Sequence, residues 1–180
     1  MKVNFKGWAD PQGPVANLFK TAIDFLADHL MEDAHEGYEI DVVILDDHYI
    51  TESGVATTVL NGEEGESIMG AVFFNEDADT DDLRTFSLGI HPEAEPGEIF
   101  TIIAHEMVHI MQYVDKTLRT VKKGNDVTNW WKGEIVDSPE IDYYDLPWEK
   151  QAYDLQDPAL EALMGSPEFL MAVADLHLSN

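Results

Sequence analysis

The segment from about residue 97 to 115 constrains the fold most, because it is an apolar helix with ionisable residues at its centre. Its apolar residues are Ile99, Phe100, Ile102, Ile103, Met107, Val108, Ile110 and Met111. The centre reads His105-Glu106-Met107-Val108-His109. Burying two histidines and a glutamate costs several kcal/mol unless a metal ion or polar partners satisfy them. The pattern therefore predicts a polar site inside the core of the protein.

The spacing of the two histidines suits a metal ion. Residues four apart on a helix differ by about 40° in direction and about 6 Å in height, so His105 and His109 share a face and can bind one metal through imidazole nitrogens. Glu106 projects beside that pair, where its carboxylate reaches a metal-bound water. Zinc lowers the pKa of such a water to about 7, and the carboxylate can then accept its proton. The five-residue pattern also occurs in unrelated proteins, but its place on a buried helix favours a zinc site.

A catalytic zinc needs a third protein ligand, and three residues are candidates. We favour Glu149, which begins a second predicted helix 40 residues after His109, with the small Ala152 allowing a close approach of the two helices. Asp115 has the spacing of the pattern HExxHxxGxxD, but that pattern needs a chain break where Gln112 stands. In a continuous helix Asp115 would point about 240° away from His109. His177, near the end of the sequence, is the most remote of the three.

The rest of the chain predicts a single α+β domain over residues 1–180. The helical signals are at 15–31, 147–156, 159–164 and 167–178. We expect Pro158 to interrupt the helix between 147–156 and 159–164. The strand signals are at 39–45, 84–90 and, more weakly, 49–60 and 67–74. This order indicates an N-terminal helix, a small mixed or antiparallel sheet, the His105–His109 helix and a helical C-terminal part.

Composition narrows the kinds of site and partner. The absence of cysteine excludes disulfides, thiolate zinc sites and cysteine nucleophiles, so His, Asp and Glu remain as metal ligands. The formal net charge is −26, from 10 basic and 36 acidic residues. Because nucleic-acid binding needs a basic patch, we expect no nucleic-acid partner. No signal peptide and no apolar run long enough to span a bilayer are apparent, so we expect a soluble protein without a membrane partner.

The motif resembles that of a known group of enzymes. His105-Glu106-Met107-Val108-His109 with a downstream Glu149 is similar to the gluzincin branch of the zincin metallopeptidases. The block from Leu146 to Tyr153 resembles that of small bacterial and phage zincin-like proteins. The resemblance covers about residues 84–157. It implies a minimal zincin-like fold, a Zn²⁺ cofactor, a peptide or protein substrate, and a cytoplasmic or virion-associated location. It also implies that the strand Arg84 to Ile90 is a sheet edge that pairs with substrate.

Further roles and alternatives stay open at this point. Tyr153, or else Tyr143 or Tyr144, could donate a hydrogen bond to the oxyanion that develops during peptide hydrolysis. An idle zincin fold serving as an acidic binding, virion-associated or inhibitor protein would bind metal without turnover, or bind none. A DNA mimic would bind a basic protein independently of zinc.

Overall fold

The computed structural model describes residues 1–45, 69–74, 79–123, 126–136 and 140–178. The predicted strand at 49–60 lies outside these residues. The helices are α1 (Pro14–Met31), α2 (Ile99–Val114), α3 (Pro147–Met164) and α4 (Pro167–Leu178), with short 3-10 turns at Glu32–His35 and Tyr143–Asp145. The strands are β1 (Lys2–Lys6), β2 (Glu39–Ile44), β3 (Gly70–Phe73), β4 (Thr85–Ile90), β5 (Leu118–Lys123), β6 (Asp126–Trp131) and β7 (Glu134–Val136). The predicted α+β class is confirmed.

The first sheet has the strand order β1-β2-β4-β3. β1, β2 and β4 run parallel, and β3 is antiparallel to β4. The parallel strands are rich in β-branched and aromatic residues, and one face of the sheet carries the main core. That face packs against the apolar stripes of α1 and α2. Fully buried residues of this core are Ala22, Ile23, Leu26, Ile40, Val42, Phe86, Leu88, Ile103, Met107 and Ile110.

The predicted place of the strand Arg84 to Ile90 was wrong. β4 lies between β2 and β3, so it is an inner strand, and among the described strands the outer one beside it is β3. A strand's own residues indicate that it is extended and buried, but its neighbours are set by long-range pairing that leaves no mark in a local pattern. β3 also contacts α2 directly, which places this strand next to the His105–His109 helix.

A second sheet follows α2, in the antiparallel order β5-β6-β7. β6 and β7 are joined by the two-residue turn Lys132-Gly133, in which both residues have positive φ, 52° and 85°. This is the backbone that a tight hairpin requires, and glycine adopts it without strain. Leu118 in β5 packs with Leu146 and Trp148 in a small second core. The sheet therefore anchors the chain between α2 and the start of α3.

The expected break at Pro158 was also wrong, because α3 continues through it to Met164. Pro158 has no N–H to donate to the carbonyl of Asp154, four residues earlier. Asp154 and Pro158 both lie on the exposed side of the helix, where water can hydrogen-bond to that carbonyl. Ala159 and Leu163, on the other side, are buried in the main core. Packing of that face keeps the helix continuous. Among the described residues, no helix has the combination of length and apolarity that a membrane crossing requires.

Candidate metal centre

The site is built where α2 and α3 pack side by side. Ala152 on α3 is completely buried, and its small side chain lets the two helices approach closely. Gln112 on α2 fixes their alignment, because its amide nitrogen donates to the Trp148 carbonyl at 2.9 Å and to Oε1 of Gln151 at 3.0 Å. This alignment brings Glu149, in the first turn of α3, opposite the two histidines of α2.

Three side-chain atoms converge at this place. Nε2 of His105 and Nε2 of His109 are 3.2 Å apart. Oε2 of Glu149 lies 3.3 Å from the first and 3.4 Å from the second. Ligands bonded to zinc at about 2.0–2.1 Å in a tetrahedron are separated by about 3.3–3.4 Å, so the triangle has the size of one face of such a tetrahedron. Among the described residues, no further His, Asp or Glu joins this cluster at the fourth corner.

The other nitrogen of each imidazole is held by a glutamine. Nδ1 of His105 contacts Oε1 of Gln156, and Nδ1 of His109 contacts Oε1 of Gln112, each at 2.9 Å. The Gln112 amide is oriented by the two acceptors on its nitrogen, so its oxygen is the atom that faces His109. An amide oxygen only accepts, so Nδ1 carries the proton in both rings. Each neutral imidazole then directs an Nε2 lone pair at the centre of the triangle, as metal-binding histidines do.

The converging atoms need a cation between them. Two Nε2 lone pairs and a carboxylate oxygen repel one another at 3.2–3.4 Å. Oε2 of Glu149 is buried, and among the described residues it has no regular hydrogen-bond partner. A buried acceptor of this kind is costly unless something satisfies it. The residues therefore fit a divalent metal with nitrogen and oxygen ligands, zinc among them.

Without metal, a proton serves as that cation. Burial disfavours the His109 imidazolium, but the contact with Glu149 outweighs it and raises the pKa of His109 to about 9. Burial likewise favours the neutral form of Glu149, but its contacts with His105 and His109 lower its pKa to about 2. Both shifts stabilise a buried ion pair, which a metal would replace by displacing the proton.

Glu106 stands next to this cluster and outside it. Its carboxyl is buried, and burial raises its pKa although the neighbouring His109 and His105 act in the opposite direction. The carboxylate accepts a hydrogen bond from the backbone N–H of Val72 on β3. It is thus a buried carboxyl group beside the histidines, linked to the first sheet.

Tyrosines surround the cluster on the side of α3. The Tyr143 hydroxyl hydrogen-bonds to Glu149, and burial raises its pKa. The Tyr153 ring packs on His105 with 4.8 Å between ring centroids, and Tyr144 packs on Tyr153 at 5.8 Å. Tyr144 and Tyr153 remain 58% and 42% exposed, so they form the rim of the site.

The other two ligand candidates lie elsewhere. Asp115 follows the last residue of α2 and is exposed. Its carboxylate accepts the Thr117 N–H at 2.8 Å. α2 runs without a break past Gln112, so Asp115 is directed away from the histidines. His177 lies exposed in the last turn of α4. Neither belongs to the His105, His109 and Glu149 cluster.

Sequence reasoning did not identify Gln112 and Gln156 as parts of the site. The spacing of the two glutamines in the sequence could have indicated them. Gln112 comes seven residues after His105, and Gln156 comes seven after Glu149, so each shares a helix face with a candidate ligand. Tyr143 was one of the three tyrosines considered as an oxyanion donor, and the structure places its hydroxyl beside Glu149.

Comparisons with protein-family models, with curated proteins and with solved structures find no match to this chain. The chemistry of the site is therefore argued from its own residues and distances.

Proposed function

We propose that the protein is a zinc-dependent peptidase that hydrolyses peptide bonds of a peptide or protein substrate. The observation that supports this most is the 3.2–3.4 Å triangle of His105 Nε2, His109 Nε2 and Glu149 Oε2. These residues would hold the zinc and leave one position open, which distinguishes a catalytic from a closed structural site. Bound there, zinc supplies Lewis acidity, polarising a substrate carbonyl and lowering the pKa of a water to about 7.

Glu106 would be the general base. Its carboxylate takes one proton from the attacking water while the water oxygen forms a bond to the carbonyl carbon. The same carboxyl then returns the proton to the amide nitrogen as the C–N bond breaks, which gives a carboxylic acid, which ionises in water, and an amine. A buried carboxyl with a raised pKa suits both directions of this transfer. In this proposal Tyr153, beside His105, donates a hydrogen bond to the oxyanion.

The deciding experiment combines metal analysis with a broad peptide-library digest. We expect about one zinc per chain in protein never exposed to chelator or acid, and cleavage that chelation abolishes and zinc restores. Glu106→Gln keeps the shape of the side chain and leaves the three ligands untouched. It should therefore retain zinc and lose nearly all cleavage.

Each other result has a meaning. Bound zinc without cleavage of any peptide would favour an idle fold that serves as an acidic binding protein. Absence of metal would remove the basis of the proposal. Loss of zinc in Glu106→Gln would show that Glu106 is a ligand and not the base.

A further inference from the structure

β3 comes unusually close to α2 at Gly70. A Cβ atom added to Gly70 would lie 2.2 Å from Cγ2 of Ile102 and 3.4 Å from Oε1 of Glu106. Two carbon atoms that are not bonded cannot approach to 2.2 Å, so the strand reaches the helix here because residue 70 has no side chain. Gly70 is not among the glycines with positive φ, so the requirement is space and not backbone conformation.

The pairing of β3 with β4 explains why Val72 can donate to a side chain. Val72 lies opposite Leu88, and Ala71 lies opposite Gly89. The His91 N–H donates to the Met69 carbonyl at 2.9 Å, which makes that pair a hydrogen-bonded one. Such pairs alternate along antiparallel strands, so Ala71 is hydrogen-bonded to β4 while Val72 turns its N–H away. That N–H is the donor to the Glu106 carboxylate.

We infer that Gly70 and Val72 of β3 are positioning residues for Glu106, which the strand backbone holds in place from outside its own helix. The Val72 N–H fixes the carboxylate, and the bare Cα of Gly70 keeps the strand near enough for that bond. One N–H donor leaves the carboxylate with further lone pairs that can accept a proton. The role of Glu106 as base rests on the proposed function, whereas the contact between strand and carboxylate does not.

Hydrogen exchange of backbone amides tests the contact without any activity. The Val72 amide should be protected in the zinc-loaded and the metal-free protein, although its N–H points away from β4. Glu106→Ala should speed its exchange by at least about ten-fold, because the carboxylate that accepts from Val72 is removed. The Ala71 amide, bonded to β4, is the internal reference and should not change. Equal exchange of Val72 in both proteins would overturn the inference.

Gly70→Ala tests the positioning itself. The new methyl group should push β3 away from Ile102 and lengthen the bond from Val72 to Glu106. We expect faster exchange of the Val72 amide and a kcat at least about ten-fold lower, with zinc affinity and KM within about two-fold of the parent, since the ligands are untouched. Gly97→Ala is the matched control, because no atom of the described residues lies within 4 Å of its added Cβ.

A second variant separates this effect from simple misfolding. Adding Ile102→Ala to Gly70→Ala removes the atom that clashes, and should restore both Val72 protection and most of kcat. A Gly70→Ala protein with parental kcat and Val72 exchange would refute the inference, as would a double variant that stays impaired while folded. If no variant and no parent cleaves peptide, the proposed function fails, and the exchange data still decide whether the strand holds Glu106.

Discussion

Replacing Glu149 by glutamine gives the sharpest test of the three-ligand site. The two side chains have nearly the same shape, so helix packing at this buried position should survive. The change removes the negative charge and replaces one carboxylate oxygen by an NH₂ group. That group can donate to the Nε2 atoms of His105 and His109, which lie 3.3 and 3.4 Å from Oε2 in the parent. The amide would satisfy the lone pairs that otherwise need a cation.

The expected loss of zinc affinity follows from the ligand count. Structural zinc sites bind with about 10–16 kcal/mol for four ligands, so one ligand is worth about 3 kcal/mol. Since 1.4 kcal/mol is a factor of ten, Glu149→Gln should weaken zinc binding by about a hundred-fold or more. Asp115→Asn and His177→Ala should change the affinity less than about two-fold, because both residues lie outside the cluster.

Competition with a chelator of known affinity measures all three variants under one condition. Circular dichroism of the metal-free proteins checks that each is folded. If Asp115→Asn or His177→Ala released the metal while Glu149→Gln retained it, the geometry described above would be the wrong account of the site. Small and equal losses in all three would refute it as well.

Three further predictions follow from the surroundings of the ligands. Gln112→Met, whose thioether is only a weak acceptor in place of the amide oxygen that His109 Nδ1 contacts, should lower zinc affinity about 10–100-fold, as measured by the same competition titration. In chelated protein the His109 contribution to stability should be fully present below about pH 6.5 and should be lost as the pH rises through about 9, whereas zinc-loaded protein should not show this loss, which denaturant titrations at several pH values would show. The Glu149 contribution to the stability of the chelated protein should be present above about pH 4.5 and be lost as the pH falls through about 2. Tyr153→Phe should lower kcat about 100-fold at unchanged zinc affinity, with Tyr144→Phe as the control in steady-state kinetics; equal kinetics of the two would remove Tyr153 from the mechanism.

Local patterns in the sequence were sufficient to predict the helices and the candidate ligands. In α1 and α2 the apolar residues recur every three or four positions. This spacing is a property of a few neighbouring turns, so it can be recognised without knowing the fold. The same helical repeat puts His105 and His109 on one face. Glu149 could be selected because Pro147 suits the first turn of a helix and Ala152 suits close packing.

Long-range relations could not be predicted in this way. The order of β3 and β4 depends on pairing between segments that are distant in the sequence. β5 and β6 were missed because their basic and polar residues resemble a loop, and their pairing with each other supplies what the pattern lacks. The link from Val72 to Glu106 is hidden for the same reason, since it uses a backbone N–H that any residue except proline has.

The separation of the ligands along the chain gives the metal a mechanical role as well. His109 and Glu149 enclose residues 110–148, which include the whole of the β5-β6-β7 sheet. A bound ion would therefore act as a cross-link that closes this loop and restricts the unfolded chain, much as a disulfide does in proteins that have cysteine. Zinc would thus join two helices of a cysteine-free chain, and its removal would loosen the second sheet together with the site.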